Sequence, residues 1–106
     1  MSYNLFLDDW RNPTDCRNYE GDGSKYDSED WVVVRNYDEF YKAIKDLGLP
    51  KFISFDYDLG PNEQSDGLEC AEFLKFYCDD ANKPVPKYRV HSAWPGIAGK
   101  FYLILK

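Results

Sequence analysis

The residues of this chain best suited to chemistry are four carboxylates in two short motifs. Asp8 and Asp9 follow the apolar run Tyr3–Leu7 (Y-N-L-F-L), and Asp56 and Asp58 follow Lys51–Phe55 (K-F-I-S-F) within D-Y-D-L-G. Carboxylates brought together raise one another's pKa values, so something must compensate the charge. A hard divalent cation does so with one or two carboxylates, waters and phosphate oxygens filling the rest of its shell. The expected metal ligands are therefore Asp8, Asp9, Asp56 and Asp58, and the expected ion is Mg²⁺ or Mn²⁺. Any one of these acids alone would be read as a helix cap or a solvated side chain. The functional reading rests on a D-D after one apolar run and a D-x-D after another.

Other residues lie close to the same points. His91, the only histidine, follows a further short run and precedes Ser92. It can move a proton near neutral pH, or it can be structural. Ser92 can bond a phosphate oxygen or close a turn. Arg11 can clamp a phosphate with its planar fork or form a surface ion pair. Trp10 and Trp94 flank the proposed segments and offer faces on which a base could stack; packing is the alternative for each. With Asp56 and Asp58, His91 forms the expected catalytic set; Arg11, Ser92, Trp10 and Trp94 form the expected substrate-binding set.

The elements that must position these groups can be read from periodicity. Tyr3–Leu7 reads as a buried strand. Trp10–Asp30 is polar and rich in Gly, Asp and Ser, and reads as a long loop. Trp31–Arg35 (W-V-V-V-R) is β-branched and reads as a second strand. Asn36 and Glu39 make a capping-box pattern before a helix carrying Tyr37, Phe40, Ile44 and Leu47, which Gly48 and Pro50 stop. Lys51–Phe55 is a third strand, and Pro61–Ser65 a polar turn. Asp66 and Glu69 start a helix with Cys70, Phe73, Leu74 and Tyr77 on its apolar stripe, ended by Asn82–Pro86. Lys87–Val90 is a fourth strand. Ile97, Phe101, Ile104 and Leu105 fit a last helix, and Tyr102–Leu105 fits a strand as well. Alternating strands and helices imply a parallel sheet with helices on both faces. Ligands of such sheets bind beyond the carboxyl ends of the strands. Asp8 and Asp56 are then expected side by side on adjacent parallel strands.

Composition sets the outer limits. The 106 residues, 43% hydrophobic and 18% aromatic, suit one domain over residues 1–106 with its own core. No apolar run reaches the ~20 residues of a membrane span, and no basic segment precedes an apolar one as in a signal peptide. Cys16, Cys70 and Cys78 are an odd number without C-x-x-C spacing, read as reduced thiols of a cytoplasmic protein. With 13 basic and 19 acidic residues the net charge is −6, which disfavours duplex DNA.

Taken in order, L-F-L-D-D-W-R-N-P, I-S-F-D-Y-D-L-G with a following D-G-L-E, and V-H-S-A-W-P-G resemble the cyclic-phosphate processing receiver-like domains. The resemblance covers nearly the whole chain. It implies a small three-layer, flavodoxin-like α/β domain with a mainly parallel sheet of about four strands. By that resemblance Asp8 and Asp9 match the acid pair, Arg11 and Pro13 its basic-proline tail, Asp56 and Asp58 the central motif, and His91 and Ser92 the last. It also implies a metal-dependent phosphoesterase acting on a cyclic nucleotide or the 2′,3′-cyclic phosphate of an RNA end. Tyr57 and Trp94 depart from the family's histidine and asparagine. Those departures keep open a non-catalytic nucleotide-binding module, or an acidic protein that sequesters a partner. The chain lacks an evident fifth strand ending in lysine, so a receiver-type phosphoacceptor is the lesser reading.

Overall fold

Two mostly apolar runs, Asn4–Leu7 (β1) and Phe52–Phe55 (β3), form the centre of a four-stranded parallel sheet. All eight of their residues are buried, as expected for inner strands of a sheet with both faces covered. The edges are Trp31–Val34 (β2) and Lys87–Val90 (β4), both less buried, giving the order β2-β1-β3-β4. The computed structural model describes residues 3–16, 31–60, 66–91 and 96–106. The expected turn Pro61–Ser65 and most of the Trp10–Asp30 loop lie outside these; within the loop, Pro13–Cys16 forms a 3₁₀ helix.

Among the described residues, three α-helices complete the fold: Tyr37–Leu47 (α1), Gly67–Asp80 (α2) and Ile97–Leu105 (α3). The Asn36 side chain caps α1 by accepting from the Glu39 amide, and Asp66 does the same for α2 from the Glu69 amide. The Glu39 carboxylate answers one residue early, accepting from the Arg35 N–H at 2.9 Å. Gly48, at φ +82°, ends α1 in a conformation that a side chain would oppose. The C-terminal segment, which as a sequence fitted either element, is helical. Its apolar residues Ile97, Phe101 and Leu105 recur every four positions and are buried together. Cys70 and Cys78 are buried free thiols on the inner side of α2.

Strand alternation assigns the two faces. Leu5, Leu7, Ile53 and Phe55 join Phe40, Ile44, Leu74 and Phe101 in one core. Phe6 points the other way and packs with Trp31 and Val33. All three helices contribute to the first core, so helices on both faces, as expected from the sequence, are met on one face only among the described residues. The physical reason is the right-handed crossover rule. β2-α1-β3 and β3-α2-β4 progress the same way across the sheet, which places α1 and α2 on the same side, and α3 packs against α2 on that side. Only the β1–β2 connection runs in the opposite direction, and its described part carries no α-helix.

The register fixes what stands at the carboxyl edge. Leu7 pairs with Val34 and Phe55, and Phe55 with Val90. The next residues across the edge are thus Arg35, Asp8, Asp56 and His91. Their backbones continue the ladder through Asp8 N–H to Val34 C=O, Asp56 N–H to Leu7 C=O and His91 N–H to Phe55 C=O. The strand order reverses between β1 and β3, the switch point where open α/β sheets form their ligand crevice.

Candidate functional site

Asp8 leaves β1 fully buried and collects four donors. Oδ1 accepts from the Trp10 and Arg11 amides at 3.0 and 2.9 Å. Oδ2 accepts from Arg11 Nε at 2.8 Å and His91 Nε2 at 2.9 Å. Burial by itself would raise its pKa. The bonds from His91, Arg11 and Trp10, with the guanidinium charge, overcome that and hold the carboxyl well below its usual range.

His91 reaches Asp8 from two strands away, lying across β3. That is feasible because the intervening residue is small: Ser54, whose Oγ lies 2.6 Å from His91 Nδ1. The ring is stacked on Phe6 at 4.7 Å between centroids and an interplanar angle of 2°. An ionised Asp8 accepts only, so Nε2 carries the proton and Nδ1 takes the Ser54 hydroxyl hydrogen. Burial pushes the imidazole pKa down against the pull of Asp8, which leaves a neutral ring. His91 is therefore sealed behind Asp8 with both nitrogens engaged, not turned to the open edge as a proton donor to a ligand would be. It holds Asp8 in place.

Asp56, beside Asp8, has poorer company. Its Oδ1 accepts from the adjoining Tyr57 amide at 2.9 Å and lies 3.6 Å from Arg11 Nη2. Burial and the Asp8 charge push its pKa up to about 7, with Arg11 opposing. The local backbone is tightly built: a Cβ on Gly67 would stand 1.8 Å from the Asp56 carbonyl oxygen, and the Gly67 N–H donates to Tyr57 C=O. The start of α2 thus presses against the turn that aims Asp56.

Asp9 and Asp58 stand outside this buried group. Asp9 is half-buried, and its pKa is raised by burial and by Asp8. Asp58 is exposed and bonds the Gly60 amide at 2.9 Å, closing its own turn. Gly60, at φ +106°, brings that turn to Asp9, since a Cβ there would lie 3.3 Å from Asp9 Oδ2. The two acidic motifs do meet, but as a buried pair with two rim acids rather than four equivalent ligands. Trp10 stands at the rim, 71% exposed, with the Arg11 guanidinium carbon 5.5 Å from its ring centroid. Ser92 and Trp94 lie outside the described residues.

Asp8, Asp56 and His91 each offer a ligand atom, all within 4.8 Å of one another, and this group could hold a metal ion. The two carboxylates suit a hard divalent cation, with His91, both of its nitrogens engaged, backing Asp8. In this arrangement the positive charge between the carboxylates is the Arg11 guanidinium.

Sequence reasoning missed three residues that build this site. Ser54 was read only as part of a strand, although a small polar residue inside an apolar strand is itself a signal. Arg35 stands next to Asp8 in the register. Its Nη1 donates to the carbonyls of Asp8 and Arg11, and its Nη2 to Asn12 Oδ1, stapling the 8–12 loop. Gly67 stands in the sequence only within D-G-L-E, with no role of its own.

A parallel sheet in the order 2-1-3-4 with acids at the β1/β3 switch point defines a receiver-like, flavodoxin-like α/β protein. A family model described as the cyclic-phosphate processing receiver domain matches residues 3–106, and the chain belongs to that family. No curated protein and no solved structure matches it. Among the described residues, no helix is long and apolar enough to cross a membrane.

Proposed function

We propose that this domain opens a cyclic phosphate ester by hydrolysis at the β1/β3 edge, with Asp8 and Asp56 holding Mg²⁺ or Mn²⁺. The observation that carries this reading is the convergence of Asp8, Asp56 and His91 beside Arg11 in a chain of this family. A divalent ion held by Asp8 and Asp56 would supply the charge that lets a phosphate approach two carboxylates and would lower the pKa of a water. Arg11 clamps the phosphate oxygens through its planar fork. His91, kept in one tautomer by Ser54, holds Asp8 ionised and oriented. Asp9 and Asp58 at the rim order the outer water, and the open face of Trp10 takes the base of a cyclic nucleotide or an RNA end. In the net step, one P–O bond forms to the water oxygen and one ring P–O bond breaks. The water's proton ends on the released hydroxyl.

The test is purified protein with Mg²⁺ or Mn²⁺ against 2′,3′- and 3′,5′-cyclic nucleotides and cyclic-phosphate-ended RNA. Product is expected with metal and not with chelator or with Asp56→Ala, and calorimetry should register metal binding at millimolar concentration. No product across the panel, at any metal, overturns the reading. One observation favours a second reading: every acceptor position of Asp8 is filled by protein donors. That suits a nucleotide- or protein-binding module without turnover, which affinity without product would establish.

A further inference from the structure

We propose that the groove between α1 and α2 is a docking surface for a basic segment of a partner protein. An arginine or lysine side chain of that segment sits among Tyr37, Phe73 and Phe76 and pairs with Glu69 and Glu72. These five residues line a cavity of about 370 Å³ on the helical face, formed by the start of α1 and the first three turns of α2. Phe73 is the hub, with ring centroids of Tyr41 at 4.8 Å, Tyr77 at 6.1 Å and Tyr37 at 6.3 Å. Phe76 is 71% exposed and Tyr41 43%. So large an aromatic surface left in water on a small domain marks an interaction site.

The choice of occupant comes from charge and ring chemistry. Glu69 and Glu72 are both exposed, one turn apart on α2, and neither has an ion-pair partner among the described residues. Aromatic faces attract a cation through their quadrupole, and two adjacent carboxylates strengthen that attraction. The chain already uses this aromatic row in that way, since Lys45 Nζ lies 5.9 Å from the Tyr41 centroid. Nucleic acid and anionic lipid would be repelled by the glutamates. A second copy brings its own −6 charge. A basic protein segment with interspersed apolar residues meets both the rings and the acids.

The experiment is an NMR titration of the ¹⁵N-labelled full chain with a short capped peptide of arginine and leucine. The same peptide with citrulline for arginine, and one with glutamate, serve as controls. The arginine peptide should shift the amides around Tyr37, Glu69, Glu72, Phe73 and Phe76, and lose affinity as salt is added. The pair Glu69→Gln, Glu72→Gln should bind it about fivefold more weakly, as should Phe76→Ser. All three positions are exposed, and unchanged backbone spectra will verify the fold of each variant. The citrulline peptide should bind weakly and the glutamate peptide not at all. Shifts at the Asp8–Asp58 edge instead, shifts spread over the whole acidic surface with the variants unaffected, or no binding at millimolar peptide each overturn the proposal. So does concentration-dependent dimerisation that Phe76→Ser abolishes, which would make the groove a self-interface.

Discussion

Asp8 and Asp56 occupy equivalent places on neighbouring strands, one residue beyond the paired Leu7 and Phe55, and both are buried. Their carboxyls are nevertheless pushed in opposite directions. Asp8 has four hydrogen-bond donors, two of them from Arg11 and one from a histidine tied down by Ser54. Asp56 has the amide of the next residue and a guanidinium nitrogen at 3.6 Å. Depth of burial therefore does not set the charge state; the count of donors does. One carboxylate is a fixed part of the framework. The other is poised near neutrality, as suits a group that takes up and releases a charged ligand.

The change expected to break this contrast most severely is Asp8→Ala. It leaves Arg11 and His91 facing a buried gap and should cost about 3–5 kcal/mol, read by denaturant unfolding. A cost below 1 kcal/mol would mean that the four donors find water instead. Gly67→Ala tests the other member. A methyl group driven against the Asp56 carbonyl should cost about 1–3 kcal/mol and disturb the amides of Asp56 and Tyr57. Ser54→Ala strips His91 Nδ1 of its donor without touching either carboxylate. It should cost about 1–2 kcal/mol, with the loss seen at His91 and Asp8 rather than at Asp56.

The sharpest comparison is Asp56→Asn in the metal-free protein. With a folded pKa raised to about 7, Asp56 stays protonated in the native state where the unfolded chain has already ionised. Its contribution is fully present below the ordinary aspartate range and is lost as pH rises toward 7. Stability measured in chelator should thus fall over that interval. Asn at position 56 should remove this slope and raise stability at pH 8 by roughly 1–4 kcal/mol. Asp8 has the opposite sign: its depressed pKa adds stability above the usual aspartate range, lost only as pH falls far into acid. If Asp56→Asn destabilises at pH 8 as strongly as Asp8→Ala, the two carboxylates are equivalent structural groups and the contrast fails.

The sequence by itself determined the four strands, the first two helices, both N-caps and the meeting of the two acidic motifs at one edge. Each of these depends on local periodicity or on chain order. Apolar runs of four mark inner strands, N-cap side chains need partners only three residues away, and crossover chirality limits how parallel strands can be arranged. Tertiary structure alone decided that Asp8 and Asp56 differ, that Asp9 and Asp58 stay at the rim, and that His91 is enclosed rather than presented. It also decided that α3 is helical and that the three described α-helices share a face. The physical reason is that a carboxylate's state depends on donors arriving from distant points of the chain. His91 lies 83 residues from Asp8 in sequence and bonds it only because Ser54, on the strand between, is small enough to let the ring cross.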